Sequence, residues 1–304
     1  MPEDLKQGGA EPAVGDLSPA GASTLVEVEL AALTDRGKVR DNNEDHYIVA
    51  RFDRAMRTLL TNLPKGQVPG PYAETVYGLL VADGVGGQQA GEVASRTAIQ
   101  AIVDLVIDTP DWIMRLDEPL EREVLDRMER RFEKVREVLV ERAEGDPKLR
   151  GMATTLTVAC SLGPVLLTTH VGDTRAYLFR GGKLMRLTRD QTMAQSLADA
   201  GAIRPEEIAS HAMRHVLTSA LGARRGFVQV EVGRWRLEDG DRLLLCSDGL
   251  TEMVSESAIT SVLAAGIPSE AACRRLVDLA LESGGEDNVT VVLARYRIPP
   301  PARG

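Results

Sequence analysis

Eight short apolar runs punctuate the chain: "LVEVELAAL", "TVYGLLVA", "ATTLTVACSL", "PVLLTTHV", "RAYLFRGGKLMRL", "FVQVEVGRW", "DRLLLCS" and "NVTVVLARY". They are rich in β-branched residues and bounded by turn signals such as Gly163-Pro164 and Gly181-Gly182, so they read as strands joined in antiparallel hairpins. Helical spacing is confined to a few stretches. In residues 92–108, Ala94, Ala98, Ala101, Ile102 and Leu105 share a face. In 121–144, Leu125, Met128, Phe132, Val135 and Leu139 recur every three or four positions, and a third helix is expected over 268–283. Strands in hairpins with helices held apart predict an α+β layered domain and not a doubly wound parallel sheet. Aromatic residues are only 4% of the chain, so its core has to be built from Val, Leu, Ile and Ala.

Residues 1–24 are rich in Gly, Pro, Ala and acids without periodicity, which predicts a disordered tail before one domain over 25–298. Residues 299–304 are expected to fray. The stretch "TNLPKGQVPGPYAE" at 61–74 carries three prolines between two strands and reads as a long surface loop. A formal net charge of −9 argues against a nucleic-acid partner, whose phosphates need a basic footprint. No run approaches the length of a membrane span, and "MPEDLKQGGAEP" lacks the apolar core of a signal peptide. Cys160, Cys246 and Cys273 are odd in number, widely spaced and set in apolar context. They read as reduced core thiols, which points to the cytoplasm.

Carboxylates recur where the strands stop. Asp83 ends the apolar run Leu79–Ala82 and is followed by Gly84; Asp248 ends "LLLCS" and is followed by Gly249. Asp173 lies at a turn between two runs, Asp287 just before another, and Glu44 and Asp45 before the strand "HYIV". Any one of these is an ordinary turn or capping acid. If they converge, their mutual repulsion requires a cation. With no Cys or His at ligand spacing, an all-oxygen set suits Mg²⁺ or Mn²⁺ better than Zn²⁺ or copper. Gly84 leaves its carbonyl open to a close approach. Two ions bridged by one carboxylate would lower the pKa of a shared water and clamp the oxygens of an in-line phosphoryl displacement. Arg40 offers the planar fork that a phosphate needs.

From residue 27 to 297 the chain resembles the metal-dependent serine/threonine protein phosphatases of type 2C, in their bacterial form. The segments that carry the resemblance are "GKVRDNNEDHY", "LLVADGVGGQQAGEVAS", "ATTLTVA", "VGDTRAYLFRGGKLMRLTRDQT", "HVLTSALG", "LLLCSDGL" and "GGEDNVTVVLARY", in order. The resemblance implies a four-layer α-β-β-α sandwich, with two central antiparallel sheets flanked by helices and a flap over about 190–225. It implies that Asp83 bridges two Mn²⁺ or Mg²⁺ ions and that the Gly84 carbonyl ligates the first. Asp248 and Asp287 would hold the second, Glu44 and Asp45 would hold bound waters or ligate weakly, and Arg40 would receive the substrate phosphate. Asp173, with Asp248, would form a third metal site. The expected reaction is hydrolysis of phosphoserine or phosphothreonine in proteins, by an activated water and without a phosphoenzyme. The expected partners are a serine/threonine kinase and its targets, and the expected state is a monomer.

Some positions depart from the family pattern. Gln88 and Gln191 stand where His is frequent, and Val85 stands where animal members carry a proposed general acid. No side-chain general acid is therefore assigned. His170 at a strand end reads as structural; His211 and His215 fall in the flap, where His215 could reach a third ion. The run "RRGF" at 224–227 reads as a solvated flap tip. Gly84-Val85-Gly86-Gly87 lacks the Lys-Ser/Thr of a nucleotide phosphate loop. The competing reading, a catalytically silent binding or signalling module, would require a missing core acid, and Asp83, Asp248 and Asp287 are all present.

Overall fold

Along the strand through Leu79–Ala82, Leu79 and Val81 join one apolar cluster while Leu80 and Ala82 join another. That period of two is what a strand buried on both faces imposes. The computed structural model describes residues 26–64, 67, 72–85, 89–108, 118–222 and 228–299. The tail at 1–24, the basic run at 224–227, Gln88 and residues 300–304 lie outside them.

One antiparallel sheet has the order β1 (Glu27–Asp35), β12 (Val289–Arg297), β11 (Arg242–Cys246), β8 (Arg175–Arg180), β9 (Lys183–Arg186). The second runs β10 (Glu231–Arg236), β7 (Val165–Val171), β6 (Leu156–Leu162), β3 (Tyr72–Ala82), β2 (His46–Met56). A short pair, β4 (Gly84–Val85) with β5 (Ala153–Thr154), extends from β3. Every pairing is antiparallel.

The sheets face each other through Leu79, Val81, Ala159, Leu166, Leu178, Leu243, Leu245, Val292 and Tyr296. On the outer face of the second sheet lie α1 (Gln89–Ile107) and α2 (Glu118–Gly145), packed through Ala94, Ala98, Ile102, Phe132, Val135 and Leu139. On the outer face of the first lie α4 (Asp248–Thr251), α5 (Glu256–Ala264) and α6 (Ser269–Glu282), packed through Leu250, Ile259, Leu263, Leu276 and Ala280. The result is the four-layer α-β-β-α sandwich expected from the sequence. The short helix α3 (Met193–Asp199) and a 3₁₀ turn at Pro205–Ser210 form part of the segment beyond β9.

The three expected helices are present with ends shifted by a few residues. Helix α5 was not expected, although Ser255 caps it by accepting from the Ala258 amide and Ile259, Val262 and Leu263 have helical spacing. The loop expected at 61–74 ends earlier, because β3 already begins at Tyr72. All three cysteines are free, and Cys246 and Cys273 are buried.

Candidate metal centre

The site forms where one edge of the sandwich brings strand ends from both sheets together. Asp83 follows β3, and its backbone is held on both sides: its amide donates to Thr155 Oγ1 at 3.0 Å, and its carbonyl accepts from the Thr155 amide at 2.9 Å and from Thr154 Oγ1 at 2.7 Å. The strand does not simply turn there. Across from it Asp248 opens α4, its Asp-Gly being the start of a helical turn and not a hairpin. Asp173 sits between β7 and β8. Carboxylate oxygens of Asp83, Asp173 and Asp248 lie within 4.8 Å of one another.

Three more acids surround this group. Asp45 is 4% exposed; its Oδ2 accepts from Ser247 Oγ at 2.7 Å, while its Oδ1 is buried without a protein donor. Asp287 accepts on Oδ1 from the Asn288 amide at 2.8 Å and on Oδ2 from Arg40 Nη2 at 2.5 Å. Glu44, on the segment between β1 and β2, lies near Arg40 and Asp287. Gly91, in the first turn of α1, explains the local backbone: a Cβ there would lie 2.5 Å from Glu44 Oε2 and 2.8 Å from the Gly84 carbonyl oxygen. The two oxygens thus flank one point that must stay clear of side chains.

Burial is the main cause of unusual protonation here, and neighbouring negative charge adds to it. Asp83 is pushed well above the usual range by burial, then by Asp45, Asp248, Asp173 and Asp287. Burial, then Asp248 and Asp190, does the same to Asp173. Asp45 is raised to about 7 and Asp248 to about 6, again chiefly by burial. Burial raises Glu44 as well. Asp248 Oδ1, like Asp45 Oδ1, is buried with no protein donor. Orphaned carboxylate oxygens in an all-oxygen cluster fit hard divalent cations such as Mg²⁺ or Mn²⁺.

Beside Asp173 and Asp248 opens a cavity of roughly 150 Å³ that Asp190, Arg175, Arg214 and Glu252 also line. Asp190 is closed off by a bidentate pair with Arg175 at 3.0 and 2.7 Å and by Arg186. The outer wall comes from the segment beyond β9, where Arg214 Nε and His215 Nδ1 approach the Glu252 carboxylate at 3.3 and 3.4 Å. His215 thus meets Glu252 and is near enough to Asp248 to oppose its upward shift. Gln191 ties the base of that segment to Asp173's neighbour, accepting from the Gly172 amide at 3.0 Å and donating to the Gln229 carbonyl at 2.8 Å.

His170 is structural, as its sequence context suggested. It is buried between Thr157 Oγ1 on Nδ1 and the carbonyls of Gly172 and Arg189 on Nε2, and burial lowers it to about 4. Two carbonyls on Nε2 require the proton there. The supporting residues Ser247, Thr155, Gly91 and Asn288 were not singled out from sequence. Their small or amide side chains carry no charge pattern to mark them.

Residues 72–282, more than half of the chain, match the family profile described as protein phosphatase 2C. The chain belongs to this family. Within the protein phosphatase 2C family it is 38% identical over 274 residues to the serine/threonine protein phosphatase PstP of Mycobacterium tuberculosis. That match covers 89% of this chain, which spans 45% of the length of the mycobacterial protein. It is 33% identical to the protein phosphatase PhpP of Streptococcus pneumoniae, covering 88% of this chain and 96% of PhpP. A solved catalytic domain of PstP in complex with two manganese ions superposes with a TM-score of 0.68 at 34% identity, covering 90% of this chain and 99% of that one. The sheet pair and flanking helices are those of protein phosphatase 2C domains. No described helix is long and apolar enough to cross a membrane.

Proposed function

We propose that this chain is a metal-dependent protein phosphatase that hydrolyses phosphoserine and phosphothreonine. The observation that carries the reading is the convergence of Asp83, Asp173 and Asp248 within 4.8 Å, delivered from both sheets. We assign Asp83 to bridge two ions, the Gly84 carbonyl to the first, and Asp248 and Asp287 to the second. Glu44 and Asp45 would hold metal-bound waters or ligate weakly. Asp173, with Asp248, serves a third ion, and the cavity beside them supports that assignment. Bound there, Mn²⁺ or Mg²⁺ would activate a water for in-line attack on phosphorus. The chain's own part is to hold the acids aligned, and to present Arg40 at the rim, 54% exposed, where a phosphate monoester can reach it.

Hydrolysis needs no phosphoenzyme, because the carboxylates are assigned to cations. The segment at about 190–225 acts as a flap beside the cavity. Free cysteines fit a reducing, cytoplasmic setting, and we take the protein to act as a monomer on targets of a serine/threonine kinase, by analogy with the phosphatases it resembles. Phosphate release from a phosphothreonine peptide should appear with millimolar Mn²⁺ or Mg²⁺ and vanish in excess EDTA. Full turnover in EDTA would overturn the mechanism.

A further inference from the structure

The loop from Arg36 to Glu44, which carries Arg40, packs against the turn that carries Asp287. Lys38's amide donates to the Gly285 carbonyl at 2.7 Å, and Arg40 itself reaches Asp287. The centre of this contact is Asn288, which is 5% exposed. Its Nδ2 donates to the carbonyls of Arg36 at 2.8 Å and Asn42 at 2.9 Å. Its Oδ1 accepts from the Glu44 amide at 2.8 Å. One side-chain amide thus binds both ends of the loop, and every polar atom it has is used.

We infer that Asn288 is a positioning residue for substrate phosphate: it fixes the arc on which Arg40 is carried. The inference rests on the phosphatase reading above and goes beyond it, because the hydrogen bonds of the Asn288 side chain run to backbone groups of the loop and not to the carboxylates. The reason lies in the two ends of the arc. Glu44 has other anchors, since its carbonyl accepts from Ser95 Oγ at 2.5 Å and from the Gly84 amide at 3.2 Å. Residues 36–42 have ties of their own, the Lys38 amide to the Gly285 carbonyl and the Gly37 amide to Asp35 Oδ1, but the Asn288 side chain joins Arg36 to Asn42, and Arg40 lies between them. A planar guanidinium recognises phosphate through direction as well as charge, so a loose arc weakens it. Asp cannot replace Asn. It would keep the acceptor for the Glu44 amide and lose both donors to the carbonyls.

The test is a double-mutant cycle with Arg40→Ala. Asn288→Ala is expected to raise KM for a phosphothreonine peptide about ten-fold or more, with a smaller change in kcat, as loss of a buried hydrogen-bond clamp implies. In the double variant KM should rise no further than in Arg40→Ala alone. Hydrogen exchange supplies a readout independent of turnover: the Glu44 amide should exchange faster in Asn288→Ala, while amides in β12 keep their protection. If Asn288→Ala fails to fold, Asn288→Asp should keep the Glu44 amide protected and still raise KM. An unchanged KM, or losses that multiply in the double variant, would overturn the inference. A parent protein inactive with Mn²⁺ would instead sink the phosphatase reading, and exchange at Glu44 would still decide whether the clamp exists.

Discussion

Asp83 is fixed through its backbone by Thr154 and Thr155, which delivers its carboxylate beside Asp45, Asp173 and Asp248. A side chain placed so against repulsion is a cost to the fold that a cation removes. Asp83→Asn should therefore leave the melting temperature in EDTA equal or higher, abolish nearly all activity, and shrink the rise that Mn²⁺ gives the parent, since ligand-linked stabilisation follows affinity. Thermal melts of both proteins with EDTA and with Mn²⁺ decide this; an equal Mn²⁺ rise in the two would exclude bridging. At this scale the acids were legible in the sequence because Asp83 and Asp248 stop apolar runs, Asp173 lies at a turn between two, and Asp287, Glu44 and Asp45 stand just before strands. Arg40 was legible as a candidate phosphate ligand but not as the partner of Asp287, a contact between residues 247 positions apart. Asn288 was invisible for a related reason. Its role depends on three backbone groups from another part of the chain, and backbone groups leave no trace in residue type.

Strands and helices position the site by how closely they approach. Gly249, the second residue of α4, packs on the turn before β12; a Cβ there would lie 3.0 Å from the Asn288 carbonyl carbon and closer still to its oxygen. Gly249→Ala must push α4 away from that turn, separating Asp248 from Asp287. Overpacking of this kind costs about 1–3 kcal/mol, which for a domain of this size is roughly 2–10 °C in melting temperature. Calorimetry in EDTA would register that loss, and titration with Mn²⁺ should show weaker binding; a variant with parental melting and affinity would mean that α4 can shift freely. An α+β layered domain was readable from period-two runs and from helices kept apart from them, whereas the four-layer sandwich was implied by the family resemblance. Less readable were elements whose boundaries tertiary contacts decide. Asp248-Gly249 has the composition of a turn and becomes the start of a helix, because the turn before β12 lies across it. Tyr72–Glu74, beside three prolines, join β3 because β2 runs on to Met56 opposite them.

For the molecule as a whole, the buried acids make stability a function of pH. Asp45 has an ordinary value of 3.8 and is raised to about 7 in the fold. Between those values the folded carboxyl keeps a proton that the unfolded chain has released, so rising pH favours unfolding across that window. In EDTA, Asp45→Asn should gain melting temperature relative to the parent as pH rises from 3.8 to about 7, with no further gain above it. With Mn²⁺ the parent should show the opposite trend, because cation binding draws on the ionised form. A constant difference between the two proteins across this range in EDTA would show that Asp45 is not raised. The order of the first sheet has a consequence of another kind, in time. β1 pairs with β12, and the hydroxyls of Thr34 and Thr290, 256 positions apart, meet at 2.8 Å. A ribosome adds about 5–20 residues per second, so β1 waits on the order of tens of seconds for its partner strand. For most of that interval Glu44, Asp45 and Asp83 have been made while Asp287 has not, and the nascent chain cannot yet assemble the proposed metal centre.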